Sequence, residues 1–169
     1  MASPWIDVRT ADGCIAVTAA DMAMFLRFLL DLAEGKGGAV FSDATATRFL
    51  AYPADGWDPG AQYGNGIARI EIDGRNDLHH TGGMSSFCSA LHVDSAAEVA
   101  AFASANIDYS LNYLPVRVTA HACELLRALR QGTPRPTPKP AMIALEKSEQ
   151  YALRSCTAAK KQPGLTRPG

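Results

Sequence analysis

The chain has 169 residues, of which 47% are hydrophobic and 20% charged, a composition typical of one soluble globular unit and not of a disordered or fibrous protein. The net charge of −1 hides an asymmetry, because residues 1–129 hold 8 basic and 15 acidic side chains whereas residues 130–169 hold 8 and 2. We interpret the basic segment as a solvated extension and therefore expect no nucleic-acid partner. No apolar stretch is long enough to span a bilayer, so we expect no membrane partner either.

The first predicted element is an amphipathic helix that begins after Thr18. Thr18-Ala-Ala-Asp21 has the pattern of a capping box, in which a threonine oxygen and a carboxylate satisfy the first free backbone amides of a helix. Gly35 suits the C-terminal cap. The predicted buried stripe consists of Met22, Phe25, Leu26, Leu29 and Leu32. A second, short helix is predicted over residues 43–51.

Strands follow, because the hydrophobic period changes from that of a helix to two. Ala68, Ile70 and Ile72 alternate with charged residues, which predicts a strand with one wet face. Asp73-Gly74 is a hairpin dipeptide, because both central positions of a tight type I′ turn require positive φ. Further strands are predicted over residues 76–81, 86–94 and, more weakly, 98–105.

A last helix is predicted from Pro115 to Gly132. Its predicted buried stripe consists of Val118, Ala122, Leu125, Leu126 and Leu129. The proline-rich run 133–140 predicts a stiff extended linker, and residues 141–169 form a basic tail that is either helical or disordered. The fold class is therefore α+β, with an antiparallel sheet of three to four strands flanked by helices in residues 1–132.

The segment His79-His80-Thr81-Gly82-Gly83 lies at the junction of two predicted strands. It offers an imidazole, a hydroxyl and backbone without Cβ atoms, so the strand edge can approach a substrate and an amide can donate to an oxyanion. A polar, glycine-rich hairpin has the same composition. The segment alone therefore does not establish a site.

Five motifs resemble those of the serine β-lactamase/DD-peptidase/esterase superfamily, particularly its class C-like members. His80-Thr81-Gly82 resembles the histidine form of that family's [Lys/His]-[Thr/Ser]-Gly motif, and residues 81–89 resemble its Thr-Gly-Gly-x-x-Gly-Phe-x-Ser segment. Residues 13–26 resemble a helix entry, residues 63–66 a Tyr-Gly-x-Gly strand, and Ala105-Asn106 the end of the last strand. The resemblance extends from about Gly13 to Leu129. It implies the C-terminal part of a β-lactamase/transpeptidase-like fold with an extended tail.

The resemblance implies roles for four residues. His80 would polarise the site or bind the substrate carboxylate or the catalytic tyrosine, and the amide of Gly83 would form half of an oxyanion hole. These two are the candidate catalytic residues. Thr81 and Gly82 would contact the substrate. Ser86 stands where the family usually has glycine, which leaves the loop geometry open.

The family's nucleophile is missing, because no serine in the chain is followed by lysine three positions later. Tyr63-Gly-Asn65 and Ser104-Ala-Asn106 match the family's Tyr-x-Asn motif loosely, and we interpret both as coincidences on structural strands. The chain alone is predicted to be inactive. It is then a fragment of a hydrolase, one partner of a separately encoded N-terminal piece, or a non-catalytic binding module that exposes a former active-site sheet edge. Because exposed strand edges recruit other chains, self-association is a further predicted interaction.

Other classes of site are not indicated. His79 and His80 are adjacent on a strand and point to opposite faces, and no histidine spacing resembles a zinc site, so we expect no metal. No nucleotide or other cofactor motif is present. His92 and His121 are predicted to be surface or half-buried polar residues. The four cysteines are not closely spaced, and residues 1–10 show no signal-peptide pattern, so the compartment stays open.

Overall fold

The protein is an antiparallel sheet covered by helices, as described by a computed structural model for residues 13, 15–51, 55, 61–72, 74–84, 86–107 and 113–137. The elements in chain order are α1 (Ala19–Ala33), α2 (Asp43–Phe49), β1 (Gln62–Gly64), β2 (Ile67–Ile72), β3 (Arg75–Met84), β4 (Phe87–Asp94), β5 (Val99–Ala105) and α3 (Tyr113–Gln131). Each strand pairs with the next, in the order β1-β2-β3-β4-β5. The α+β class is confirmed, and the described residues form five strands where three to four were predicted.

Helix α1 begins and ends where the sequence predicts. The Thr18 Oγ1 accepts a hydrogen bond from the Asp21 amide at 3.2 Å, and an Asp21 carboxylate oxygen accepts one from the Thr18 amide at 2.9 Å. Gly35 follows the helix with a φ of 76°, a left-handed conformation that glycine adopts without steric cost. Leu26, Leu29 and Leu32 are buried, as predicted, whereas Phe25 is 39% exposed, so the predicted inner face is wrong at that position.

The main hydrophobic core lies on one face of the sheet, under α1 and α2. Side chains alternate between the two faces of a strand, and Leu91 and Val93 of β4 are in this core. Its buried members are Leu26, Leu29, Leu32, Ala46, Leu50, Ile67, Leu78, Leu91 and Val93. Helix α3 covers the opposite face, where the Arg127 Nε donates to the Asp94 carboxylate at 2.6 Å.

The predicted buried stripe of α3 is wrong. Val118 and Leu129 are 59% and 61% exposed, and Leu126 is also exposed, whereas the helix buries Val116, Thr119, Cys123 and Ala128. The sheet face beneath α3 explains this, because it carries the buried polar residues Asp77, His92 and Asp94. Such groups require hydrogen-bond partners, so α3 turns a small and polar face towards them and leaves its larger apolar side chains outside.

Several predictions lie outside the described residues, namely Asp73 of the hairpin turn, residues 1–10, and the tail 141–169. Gly74 of the turn has a φ of 76°, as the hairpin dipeptide requires. Helix α3 begins two residues before Pro115, which lies in its first turn. Among the helices that the structure describes, none has the length and apolar content needed to cross a membrane.

Candidate functional site

The second half of β3 has an open backbone edge. Strand β2 pairs with β3 in the register Ala68↔His79 to Ile72↔Arg75, whereas β4 pairs with β3 as far as Met84↔Phe87. Among the described residues, the pairing with β2 therefore stops at His79, and residues 80–84 continue beside β4 alone. In an antiparallel strand the amides point alternately to the two sides. Some amides of this segment therefore have no strand partner within the described part of the chain and can donate to a ligand that lies along the edge.

The four predicted site residues are brought together on this segment but face two sides of the sheet. His80 pairs with Leu91, a member of the main core, so His80 and Gly82 belong to the α1 face. Thr81 pairs with Ala90 on the α3 face, together with Gly83. Gly82 and Gly83 are exposed, whereas the two side chains are half-buried. A ligand that contacts both His80 and Thr81 must therefore lie at the open edge.

His80 contacts a tyrosine that sequence reasoning set aside. The Tyr63 hydroxyl lies 3.1 Å from the His80 Nε2, within hydrogen-bond distance. Burial lowers the pKa of His80, and a backbone hydrogen bond with Thr81 opposes this only in part. At neutral pH His80 is therefore an uncharged imidazole that exchanges a hydrogen bond with the phenol, and a role as a fixed positive charge is disfavoured.

Tyr63 and Asn65 have separate functions, although together they match the letters of a Tyr-x-Asn motif. The Asn65 side-chain amide donates to the Phe49 carbonyl at 2.8 Å and so ties the β1–β2 turn to the end of α2. Only Tyr63 reaches His80. The strand register did not indicate this contact, because it aligns Tyr63 with Ala68 and Ala68 with His79, the neighbour of His80.

Gly82 lies close to the neighbouring strand β4. A Cβ at this position would be 2.6 Å from the Ser89 Oγ, which is less than van der Waals contact. The hydroxyl is the end of a flexible side chain, so it can rotate away at modest cost. The absence of a side chain at residue 82 therefore keeps the strand close to Ser89 and its backbone accessible.

We expect Gly82→Ala to lower the free energy of unfolding by about 1 kcal/mol, because a methyl group is forced against the Ser89 hydroxyl. In a Ser89→Ala background the same substitution is expected to cost measurably less. Urea denaturation of the four proteins of this double-mutant cycle measures the difference. Equal costs in both backgrounds would show that the contact with Ser89 does not explain the glycine.

A buried polar cluster lies beside the site, under α3. The His92 Nε2 is 2.8 Å from the Asp77 carboxylate, and both residues are almost fully buried. His92 is therefore not the surface or half-buried residue predicted from the sequence. The His79 ring lies 5.9 Å from that of His92, and its Nε2 is shielded from solvent without a hydrogen-bond partner. Burial lowers the pKa of His79 to about 3, with the charges of His92 and His80 acting in the same direction.

His79 makes stability depend on pH. The unfolded chain binds a proton at this residue below about pH 6.5, whereas the folded chain does not until about pH 3, so stability falls as the pH decreases through this window. Between pH 7 and 5 we expect a contribution of about 2 kcal/mol to this loss. Urea denaturation at the two pH values should show a smaller loss for His79→Leu and an unchanged loss for the control His121→Ala. Equal losses for His79→Leu and the unmodified protein would contradict the assignment.

The described residues contain no group of three metal-ligating side chains. A cleft of about 250 Å³ lies at the other end of the sheet, lined by Leu30 and six charged side chains. Its charges are paired with one another, as in Arg27–Asp31 and Arg130–Glu98. The cleft is therefore a weaker candidate site than the open edge of β3.

Comparisons with known proteins add no relative. No family model, no curated protein and no solved structure matches the chain.

Proposed function

We propose that residues 80–83 form one wall of the active site of a serine β-lactamase-like hydrolase, which cleaves an amide or ester through an acyl-serine. The proposal rests on the motif order in the sequence and on one structural observation. That observation is the open backbone edge of β3, with exposed Gly82 and Gly83 beside the Tyr63–His80 pair. Its substrate would be a small molecule or a peptide-like compound.

Each group at this edge has a chemical use in acyl transfer. A backbone amide at Gly83 that points to the open side would stabilise the negative charge that develops on a carbonyl oxygen. Neutral His80 and the Tyr63 hydroxyl, 3.1 Å apart, form a short relay that can hold or pass a proton. The Thr81 hydroxyl would bind a polar group of the substrate from the other side of the strand.

The chain lacks the attacking group, since its sequence contains no Ser-x-x-Lys. Stabilisation of an oxyanion without a nucleophile gives no acyl-enzyme, so the chain alone should bind acyl compounds weakly and not turn them over. The second candidate is a binding module without catalysis. The missing nucleophile also favours this second candidate. An open strand edge can bind an extended peptide through its backbone without any catalytic group.

Amide NMR of the isolated chain tests the substrate wall. Benzylpenicillin, an acyl-D-alanyl-D-alanine peptide and a short-chain nitrophenyl ester are titrated in turn, and at least one is expected to shift the signals of residues 80–83. His80→Ala should weaken that response, whereas His121→Ala on α3 should not. No response at residues 80–83 to any of the three compounds would refute the proposal.

A fluorophosphonate probe separates the hydrolase from the binding module. We expect no labelling of the isolated chain, and labelling of it would contradict its predicted inactivity. The coding sequence upstream is examined for Ser-x-x-Lys, and a piece that carries it is added to the chain. Labelling of that piece only in the presence of this chain supports the hydrolase. No such piece, or no labelling, favours the binding module.

A further inference from the structure

Strand β5 ends the sheet and is well suited to pair with another strand. It is the last strand in the sheet order, and the described residues place only β4 beside it. Its sequence, Val-Ala-Ala-Phe-Ala-Ser-Ala, has no charged residue and no proline. Proteins normally protect an edge strand with such residues. The edge of β5 thus offers seven residues of backbone without this protection.

The exposed apolar residues of α3 lie on the side of the helix that overhangs this edge. Arg127 reaches Asp94 on β4, whereas Arg130 reaches Glu98, which precedes β5. Successive helix residues are about 100° apart, so the step from Arg127 to Arg130 turns the helix surface from β4 towards β5. A further rotation of about 40–140° in the same direction reaches the apolar flank. We define this flank as Val118, Ala122, Leu125, Leu126 and Leu129.

The spacing in this flank is self-complementary. Val118, Ala122, Leu125 and Leu129 are separated by four, three and four residues, which is the same sequence of steps in both directions. In an antiparallel helix pair this places Val118 opposite Leu129 and Ala122 opposite Leu125, the layers of an antiparallel coiled-coil seam. A two-fold axis therefore allows the flank to pack against the same flank of a second copy.

The same two-fold axis also gives the free edge of β5 a partner strand. Antiparallel pairing of β5 with its copy continues the sheet, and it brings the two α3 helices together on one face. Helix α3 lies over β4 and β5, since it contacts Asp94 on one and Glu98 beside the other. Strands are about 4.8 Å apart, so the two helix axes would be about 10 Å apart. This agrees with the distance of about 8–10 Å between packed helices.

We propose that the chain forms a two-fold homodimer through β5 and the apolar flank of α3. The partner is a second copy of this chain, because one two-fold axis pairs the two β5 edges and also pairs the apolar flank of α3 with its copy. The same axis places the two α3 helices at the usual packing distance. The proposal does not depend on the function proposed for residues 80–83.

Sedimentation velocity of the full chain with a reductant tests the dimer. We expect a concentration-dependent dimer, and Val118→Lys/Leu129→Lys should raise its dissociation constant more than about tenfold, because lysine charges would be buried in the seam. Both positions are exposed, so the variant should stay folded by circular dichroism. The matched control is Met24→Lys/Val40→Lys, at positions that are 66% and 65% exposed, and it should dimerise normally.

A disulfide fixes the orientation. Val118→Cys/Leu129→Cys cannot close within one helix, since eleven residues span about 16 Å and a disulfide needs Cα atoms within about 7 Å. Oxidation should yield a linked dimer whose peptide map joins 118 of one copy to 129 of the other. The proposal is overturned by a monomer at every concentration, by a dimer that tolerates the lysines, or by links that map elsewhere. A monomer that pairs instead with an upstream hydrolase piece would assign the surface to that piece.

Discussion

His92→Ala should lower the free energy of unfolding by about 3–5 kcal/mol. The substitution removes the hydrogen bond that an oxygen of the Asp77 carboxylate, a residue that is 1% exposed, accepts from the His92 Nε2 at 2.8 Å. The other carboxylate oxygen, Oδ1, has no hydrogen-bond partner in the described part of the chain. A buried polar group left alone is strongly destabilising, because its lost hydration is no longer compensated. Since small domains are stable by only about 5–15 kcal/mol, urea denaturation should show a large shift of the midpoint.

Replacement of both partners separates the cost of an orphaned group from the value of the pair. Asp77→Leu/His92→Leu should recover most of the loss, because an apolar pair of similar volume needs no hydrogen bonds. His121→Ala is the control, since His121 is half-buried and lies 3.4 Å from the Glu124 carboxylate, outside the Asp77–His92 pair. A loss below about 1 kcal/mol for His92→Ala would mean that the buried Asp77–His92 pair does not stabilise the packing of α3 on the sheet.

Leu29→Ala should lower the free energy of unfolding by about 2–5 kcal/mol. Leu29 is 1% exposed and lies in the main core between α1 and the sheet. Truncation loses the burial of the side chain and leaves a cavity that the surrounding helix and strands fill only in part. Thermal and urea denaturation should both report the loss.

Met24→Ala on the same helix provides the comparison. Met24 is 66% exposed, so its truncation should change the stability by less than about 0.5 kcal/mol. Both substitutions place alanine in α1 and therefore affect helix propensity in the same direction. Similar losses for the two variants would show that α1 is not held by the leucine face.

The strands and α1 were predictable because short-range patterns determine them. The capping box at Thr18 and the alternation from Ala68 to Ile72 depend on neighbours within a few residues, and both coincide with observed elements. Strand β1 is three residues long, too short for a period of two to be recognised without the resemblance.

The inner face of α3 was not predictable from its own residues. Its most hydrophobic stripe is outside, because the helix packs on Asp77, His92 and Asp94 of other elements. A hydrophobic pattern does not report what lies opposite a helix, and a buried carboxylate can outweigh several apolar contacts. The polar positions in β3 and β4 were visible in the sequence, but their common face becomes apparent only with the strand register.

The sequence indicated the segment that forms the candidate site, but it did not indicate the geometry of that segment. The motif at residues 80–83 identified the strand, whereas its open edge depends on where β2 stops, at Ala68↔His79. The Tyr63–His80 contact likewise joins residues that are 17 positions apart. Such contacts are set by the length of two hairpins, which composition and motif order do not specify.

The order of the strands also has a kinetic consequence. Every strand pairs with its successor in the chain, so each pairing closes only a short loop and none must wait for a distant segment to arrive. Topologies of this kind have low contact order and cross a smaller entropic barrier than sandwiches or parallel sheets. A sheet assembled one hairpin after another can therefore form early, with α1 and α3 docking on the two faces of an existing platform.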